Sequence, residues 1–272
     1  MYFPTREDML PLLGKDWEKN ATYFGRIPLH PLGEQTLFAY LTIGRDYSNE
    51  QRTRFNGINM QIVSSMLALW MFLRCTQSAV SMVYTNPSRL VSWCCLLHSL
   101  SGTIYVVVVL SSLSPLGATC RQTVWLSAVV AVVGDLCLTA VLLYQAYLVH
   151  HRCYKILFLG ALVVIPAPFT TYVAWTSPVI FVPSCGCTLV YPYYFPWMRF
   201  APFAPMNIFL SSMFLAVVYR QYCRFGSAAW ERLVREGVQL ILLMAITNTV
   251  CLFCAAFEAL EMFSGVFLLV NW

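Results

Sequence analysis

The sequence predicts an all-α fold: a polytopic transmembrane helix bundle with six full spans and a truncated seventh. Two observations carry that expectation. Of the 272 residues, 59% are hydrophobic and only 11% charged, with mean hydropathy +0.65. A soluble domain typically carries about 25% charged residues to cover its surface, so here lipid must supply the cover. Six apolar stretches also reach the roughly 20 residues that a helix needs to cross the hydrocarbon.

Residues 1–57 stand apart. They hold seven of the 17 basic and seven of the 12 acidic residues, with prolines and glycines between them. We read them as a polar tail that cannot bury a core of its own. Its opening, MYFPTREDMLPLLGKDWEKN, has charges throughout and no apolar centre, unlike a signal peptide. Insertion is then expected to rely on the first membrane helix. Residues 58–272 form the bundle. Its spans lie at about 58–83, 90–112, 122–149, 156–175, 204–222 and 237–257 by sliding hydropathy. A last run, Met262–Trp272, has 11 residues. At 1.5 Å per residue that is about 16 Å, too short to span, and it reads as the start of a seventh helix.

Charge sets the expected orientation. Arg74, Arg89, Arg152, Lys155, Arg220, Arg224, Arg232 and Arg235 flank one set of span ends, whereas the opposite loops hold only Arg121 and Arg199. Positive loops stay cytoplasmic, which places the amino terminus outside; the plasma membrane is the expected location. The single Asn-x-Ser/Thr sequon, at Asn20, falls in the exposed tail and is a candidate glycosylation site. The net charge of +5 suits anionic lipid headgroups, and nothing else points to nucleic acid. No internal repeat of the kind found in inverted-repeat transporters is visible.

The 11 cysteines lie mostly inside apolar runs, as small fillers. Cys120 opens the third span, and Cys185 and Cys187 lie in the loop after the fourth. Outside the cell all three meet an oxidising compartment. A bridge from Cys120 to either loop cysteine would pin that loop over the bundle. The loop itself, Ser177–Pro205, has six prolines, which are expected to keep it out of regular helix. Its eight aromatics suit an interfacial belt or a lid over an apolar ligand.

A cysteine opening the third helix, a cysteine in the loop after the fourth, an outside amino terminus and a near-seven-helix layout resemble a G-protein-coupled receptor. The resemblance covers residues 58–272 and is one of layout. The third span ends LLYQAYLVHHR, without an Asp/Glu-Arg-Tyr triplet, and the sixth lacks a Cys-Trp-x-Pro bend. The resemblance implies a ligand within the bundle and a G protein or another partner at the inner loops.

Residue supply argues against an enzyme and against a bound cofactor or metal. The last lysine is Lys155, at the start of the fourth span, so no membrane lysine is available for a retinal Schiff base. Of the four histidines only His98 lies deep, and His98 with Asp135 is too small a set for zinc. No glycine-rich phosphate loop or nucleophile elbow occurs.

Asp135, in the middle of the third span, is the residue that composition does not explain. A carboxylate there costs about 2.5–3.5 kcal/mol on insertion scales. We expect no cation at its depth, which leaves His98 and Asn248 as candidate partners. The three form a candidate ligand site in which Asp135 serves as counter-ion, cation site or proton-linked switch for a small or lipidic ligand. Alternatives are a proton- or cation-linked transporter, and a structural or assembly role in which a protonated carboxyl joins helices. On the inner side, YRQYCRFGSAAWERLVREGVQL places Trp230, Leu233 and Val234 on one helix face and Arg232 and Arg235 largely on the other. With Arg152, Arg220 and Arg224 these residues are expected to contact a cytoplasmic partner or anionic lipid.

Overall fold

The structure, a computed structural model, describes residues 13–14, 17, 21–25, 27–42, 48–149, 154–183, 186–225, 239–257 and 259. Eight helices and two short hairpins follow in chain order among them. Strands β1 (Thr22–Phe24) and β2 (Ile27–Leu29) are followed by a 3-10 turn at Pro31–Glu34 and by α1 (Leu37–Thr42). The long helices α2 (Ser48–Thr85), α3 (Leu90–Ser111) and α4 (Cys120–Val149) come next. Then come α5 (Tyr154–Val164), α6 (Ala167–Thr176), β3 (Val179–Val182), β4 (Gly186–Leu189), α7 (Phe195–Phe225) and α8 (Gln239–Ala256).

The all-α expectation holds at the coarse level. Three helical stretches, Gln51–Thr85, Leu90–Ser111 and Cys120–Tyr147, are long and apolar enough to cross a membrane. Large apolar side chains such as Val63, Leu67, Trp70 and Val107 stand exposed along them, and a bilayer can cover such faces. Gly160–Thr176 and Ala245–Ala256 are shorter apolar stretches. Residues 262–272, the expected seventh helix, lie outside the described residues.

Three boundaries differ from the sequence reading. Helix α2 begins at Ser48, inside the segment assigned to the tail. The expected span 156–175 is interrupted between α5 and α6. Pro166 and Pro168 lack the N–H groups that would bond residues 162 and 164, and only a tighter bond from the Phe169 N–H to the Pro166 carbonyl (3.1 Å) restarts the helix. The proline-rich loop 177–205 is the largest correction. Its first half is the β3–β4 hairpin, and its second half is the beginning of α7, with Pro202 and Pro205 inside the helix. Each proline forfeits one backbone bond, but its fixed φ is helical, and packing from neighbouring helices sustains the turn.

Helices α2 and α3 pack side by side, α3 on α4, and α7 against both α4 and α8. Between α2 and α3, Phe72 lies where any side chain on Gly102 would collide with it, and Thr76 and Thr103 share a hydroxyl bond of 3.3 Å. The α4–α7 seam is filled by Leu143, Ala146, Met206 and Leu210. A second cluster of Ala167, Phe203, Ala204 and Leu252 joins α6, α7 and α8, with Val132 and Leu136 of α4 against it.

The end of the bundle at Cys120 is closed by a cap. All four β3 residues are buried. On one side of the hairpin lie Leu13, Trp17 and Leu32 of the tail, with Ile180, Val182 and Val190. On the other, Val179 and Phe181 meet Leu37, Tyr40, Ile58 and Cys120. Tyr40 stacks on Phe181 with ring centres 4.5 Å apart. The Thr36 hydroxyl caps α1 by accepting the Ala39 N–H at 3.1 Å. The described apolar residues of the tail thus share a core with the hairpin, as the tail's inability to enclose one alone requires.

Candidate functional site

Asp135 is the sixteenth residue of α4, on the helix face that carries Val132 and Leu136 toward α7. Arg199 is the fifth residue of α7. Because α7 starts at Phe195, well before the proline pair, its first turns run beside the middle of α4 and place a guanidinium level with the carboxylate. Arg199 Nη2 donates to Asp135 Oδ2 at 2.6 Å, and the two side chains are only 10% and 12% exposed. The expectation that no cation reaches this depth is therefore overturned. The prolines around Arg199 predict a loop, but α7 begins before it and carries it inward.

A guanidinium is always charged and offers five donors in a fixed plane. It meets one carboxylate oxygen here, and Arg199 Nε is buried with no partner among the described residues. The expected partners of Asp135 lie elsewhere. Asn248 belongs to α8, one turn from Leu252, and is buried, with an Oδ1 that has no partner among the described residues. Asn207 of α7 is buried too. The ring contacts Phe200–Phe253 and Trp197–Phe257 show α7 and α8 running antiparallel, which sets Asn207 and Asn248 at one level, below the ion pair. His98 lies on α3, whereas the carboxylate of Asp135 is engaged by Arg199 of α7. A cavity of about 310 Å³ between α7 and α8, lined by Ile208, Leu215, Leu242 and Ile246 among others, is apolar and does not include the pair.

Cys120 and Cys187 form a disulfide, resolving the alternative left by the sequence; Cys185 lies outside the described residues. The bond ties the start of α4 to β4, beside the pairing of Phe181 with Cys187 in the hairpin. The Cys120 N–H also donates to the Gln35 carbonyl at 3.0 Å, so the same residue holds the tail. Next to it Arg121, 5% exposed, donates from Nη2 to the His30 carbonyl (3.1 Å) and pairs through Nη1 with Glu34 (2.8 Å). Gly33 sits so close to β3 that a Cβ there would stand 2.7 Å from the Val179 carbonyl. Trp125 and Trp175 stack at 5.4 Å, and the Trp175 Nε1–H donates to the Trp125 carbonyl at 3.2 Å.

His30 is 4% exposed at the head of the 3-10 turn. Its Nδ1 accepts the Leu32 N–H at 3.3 Å, so Nε2 carries the ring proton and donates to the Leu13 carbonyl at 3.4 Å. Burial pushes the imidazole below its ordinary value; the Leu13 bond opposes that shift and Arg121 reinforces it.

Asn20, Arg152, Trp230, Arg232 and Arg235 lie outside the described residues, as do the side chains of Arg220 and Arg224. Among the described residues no group of three or more His, Cys, Asp or Glu could hold a metal ion. Comparison with protein-family models, characterised proteins and solved structures finds no match.

Proposed function

We propose that this chain is a multi-pass membrane protein with six spans and the start of a seventh, its amino terminus outside the plasma membrane. On this reading it is receptor-like: it senses a small or lipidic ligand in the bundle around Asp135 and signals through its basic cytoplasmic loops. One observation carries the reading, the Asp135–Arg199 pair. A buried ion pair rarely adds stability over apolar side chains of the same volume, whereas ionisable groups inside a membrane are functional by default. The pair also changes the mechanism. A ligand does not meet a bare carboxylate as its counter-ion; it acts by competing with one member of the pair for the other. Separating α4 from α7 at that level moves two long helices whose far ends carry the inner loops.

A second reading, proton- or cation-linked transport, is favoured by the buried Asn207 and Asn248 below the pair on the α7–α8 seam, since polar groups at successive depths suit a path.

The test uses Asp135→Asn, Arg199→Gln and the exchange Asp135→Arg with Arg199→Asp. Surface delivery of a tagged chain is measured beside basal signal in a panel of G-protein reporters. The receptor reading expects altered basal signal per delivered copy in the single variants, even where delivery falls, and recovery of both in the exchange. Normal delivery with unchanged signal, but altered proton or sodium flux in liposomes, transfers the assignment to the transporter. Loss of delivery in both single variants, rescued by the exchange with no change in signal, leaves a structural role and defeats both.

A further inference from the structure

We propose that the docking of the amino-terminal segment on the bundle is a proton-sensitive latch, with His30 as the sensor. The proposal is independent of any ligand at Asp135. His30 bonds to several parts of the cap. Its carbonyl receives the Arg121 guanidinium from α4, its Nδ1 holds the Leu32 N–H of the 3-10 turn, and its Nε2–H holds the Leu13 carbonyl. Trp17 lies over its ring at 5.3 Å. Leu13, Trp17 and the 3-10 turn therefore meet at one imidazole, and the bundle reaches the main chain of the same residue through Arg121.

The bonding pattern admits only the neutral ring. An imidazolium donates from both nitrogens, so protonation at Nδ1 turns the acceptor of the Leu32 N–H into a second donor facing it. The new charge also arises beside Arg121. Among the described residues, the charge that acts on His30 is Arg121 of α4, and Arg121 is itself engaged by Glu34. The hairpin residues packed on Leu13, Trp17 and Leu32 are Ile180, Val182 and Val190, all apolar, and offer nothing to an added charge. Since burial holds the docked imidazole below its ordinary value, the undocked state takes up protons first. Docking is fully favoured above the ordinary histidine value of about 6.5 and is lost as pH falls through the lowered value. What releases is Leu13, Trp17 and Leu32 from Ile180, Val182 and Val190. The hairpin stays, because the Cys120–Cys187 bond holds it.

Hydrogen–deuterium exchange of the full chain in lipid nanodiscs tests this, corrected for the intrinsic rate at each pH. Amides of residues 22–34 should be protected at about pH 7.5 and exchange faster at about pH 5, with an opening midpoint below about 6.5 but above the carboxylate range near 4.3. The hairpin amides of residues 179–189 should keep their protection throughout. His30→Asn supplies a cap oxygen that does not titrate, and should stay protected at both values. Protection of the parent that does not change with pH overturns the proposal, as does a midpoint outside that interval. The same acid-induced opening in His30→Asn overturns it too. If that variant does not dock, the parent's midpoint and the hairpin's retained protection decide.

Discussion

Arg199 and Asp135 each carry a charge into a place where an unpaired charge is heavily penalised, so neither is separable from the other. Arg199→Met leaves Asp135 alone and should destabilise the solubilised protein by about 3–5 kcal/mol. The double variant Asp135→Leu with Arg199→Met removes both charges and should recover most of that loss. Thermal unfolding followed by detergent-phase chromatography reads both. Equal losses in the single and double variants would mean that the pair is not coupled in the folded protein. Asp135 itself was plain in the sequence as a lone acid in an apolar run. Its partner is not, because the prolines around Arg199 point to a loop. A usable signal existed: in the loops on the tail's side of the expected topology only Arg121 and Arg199 are basic, and a mid-span acid needs a cation from somewhere. His30 gave no such signal, since its role rests on two backbone groups and on a ring proton, which no sequence pattern encodes.

At the scale of elements, the hairpin β3–β4 decides how the bundle ends. The Cys120–Cys187 bond closes a loop with a sequence separation of 67 residues. In the chain-entropy model such a loop is worth about 4 kcal/mol. Cys120→Ser and Cys187→Ser should therefore each lower thermal stability, and the double variant should lose no more than either single one. Strictly additive losses would show that the two cysteines act separately. Gly33→Ala is a milder probe, since the added methyl meets the Val179 carbonyl, a backbone atom that cannot swing aside. It should loosen the tail and leave the helices unchanged, visible as faster exchange at residues 27–42 alone. The hairpin was hidden in the sequence for a physical reason. Its strands have four residues each and sit in a segment where prolines mask periodicity, whereas α2, α3 and α4 announce themselves through length and hydropathy. The break at Pro166 was legible in principle, but hydropathy averages over it.

For the whole molecule, a helical fold with helices long and apolar enough to cross a membrane was readable, because composition records long apolar stretches directly. Orientation rests on charge alone, so it carries its own prediction. A tag at the amino terminus should be accessible on intact cells, and Asn20 should carry a glycan in a eukaryotic membrane. Accessibility only after permeabilisation, with no glycan, would reverse the orientation. The site was less legible than the class. Function in a bundle is set by which faces meet, and apolar helices of similar composition pack in many ways.

The cap joins segments made far apart in time. Leu13 and Trp17 leave the ribosome first, yet the hairpin residues they pack on, Ile180 and Val182, follow only after most of α2 to α6 has been made. At 5–20 residues per second the tail waits on the order of ten to thirty seconds with its apolar side chains uncovered. Through that interval it is a client for whatever chaperone works on its side of the membrane. A fault in the hairpin or in Cys187 would then first show as a tail that is never released from such help, in a chain whose helices have all inserted correctly.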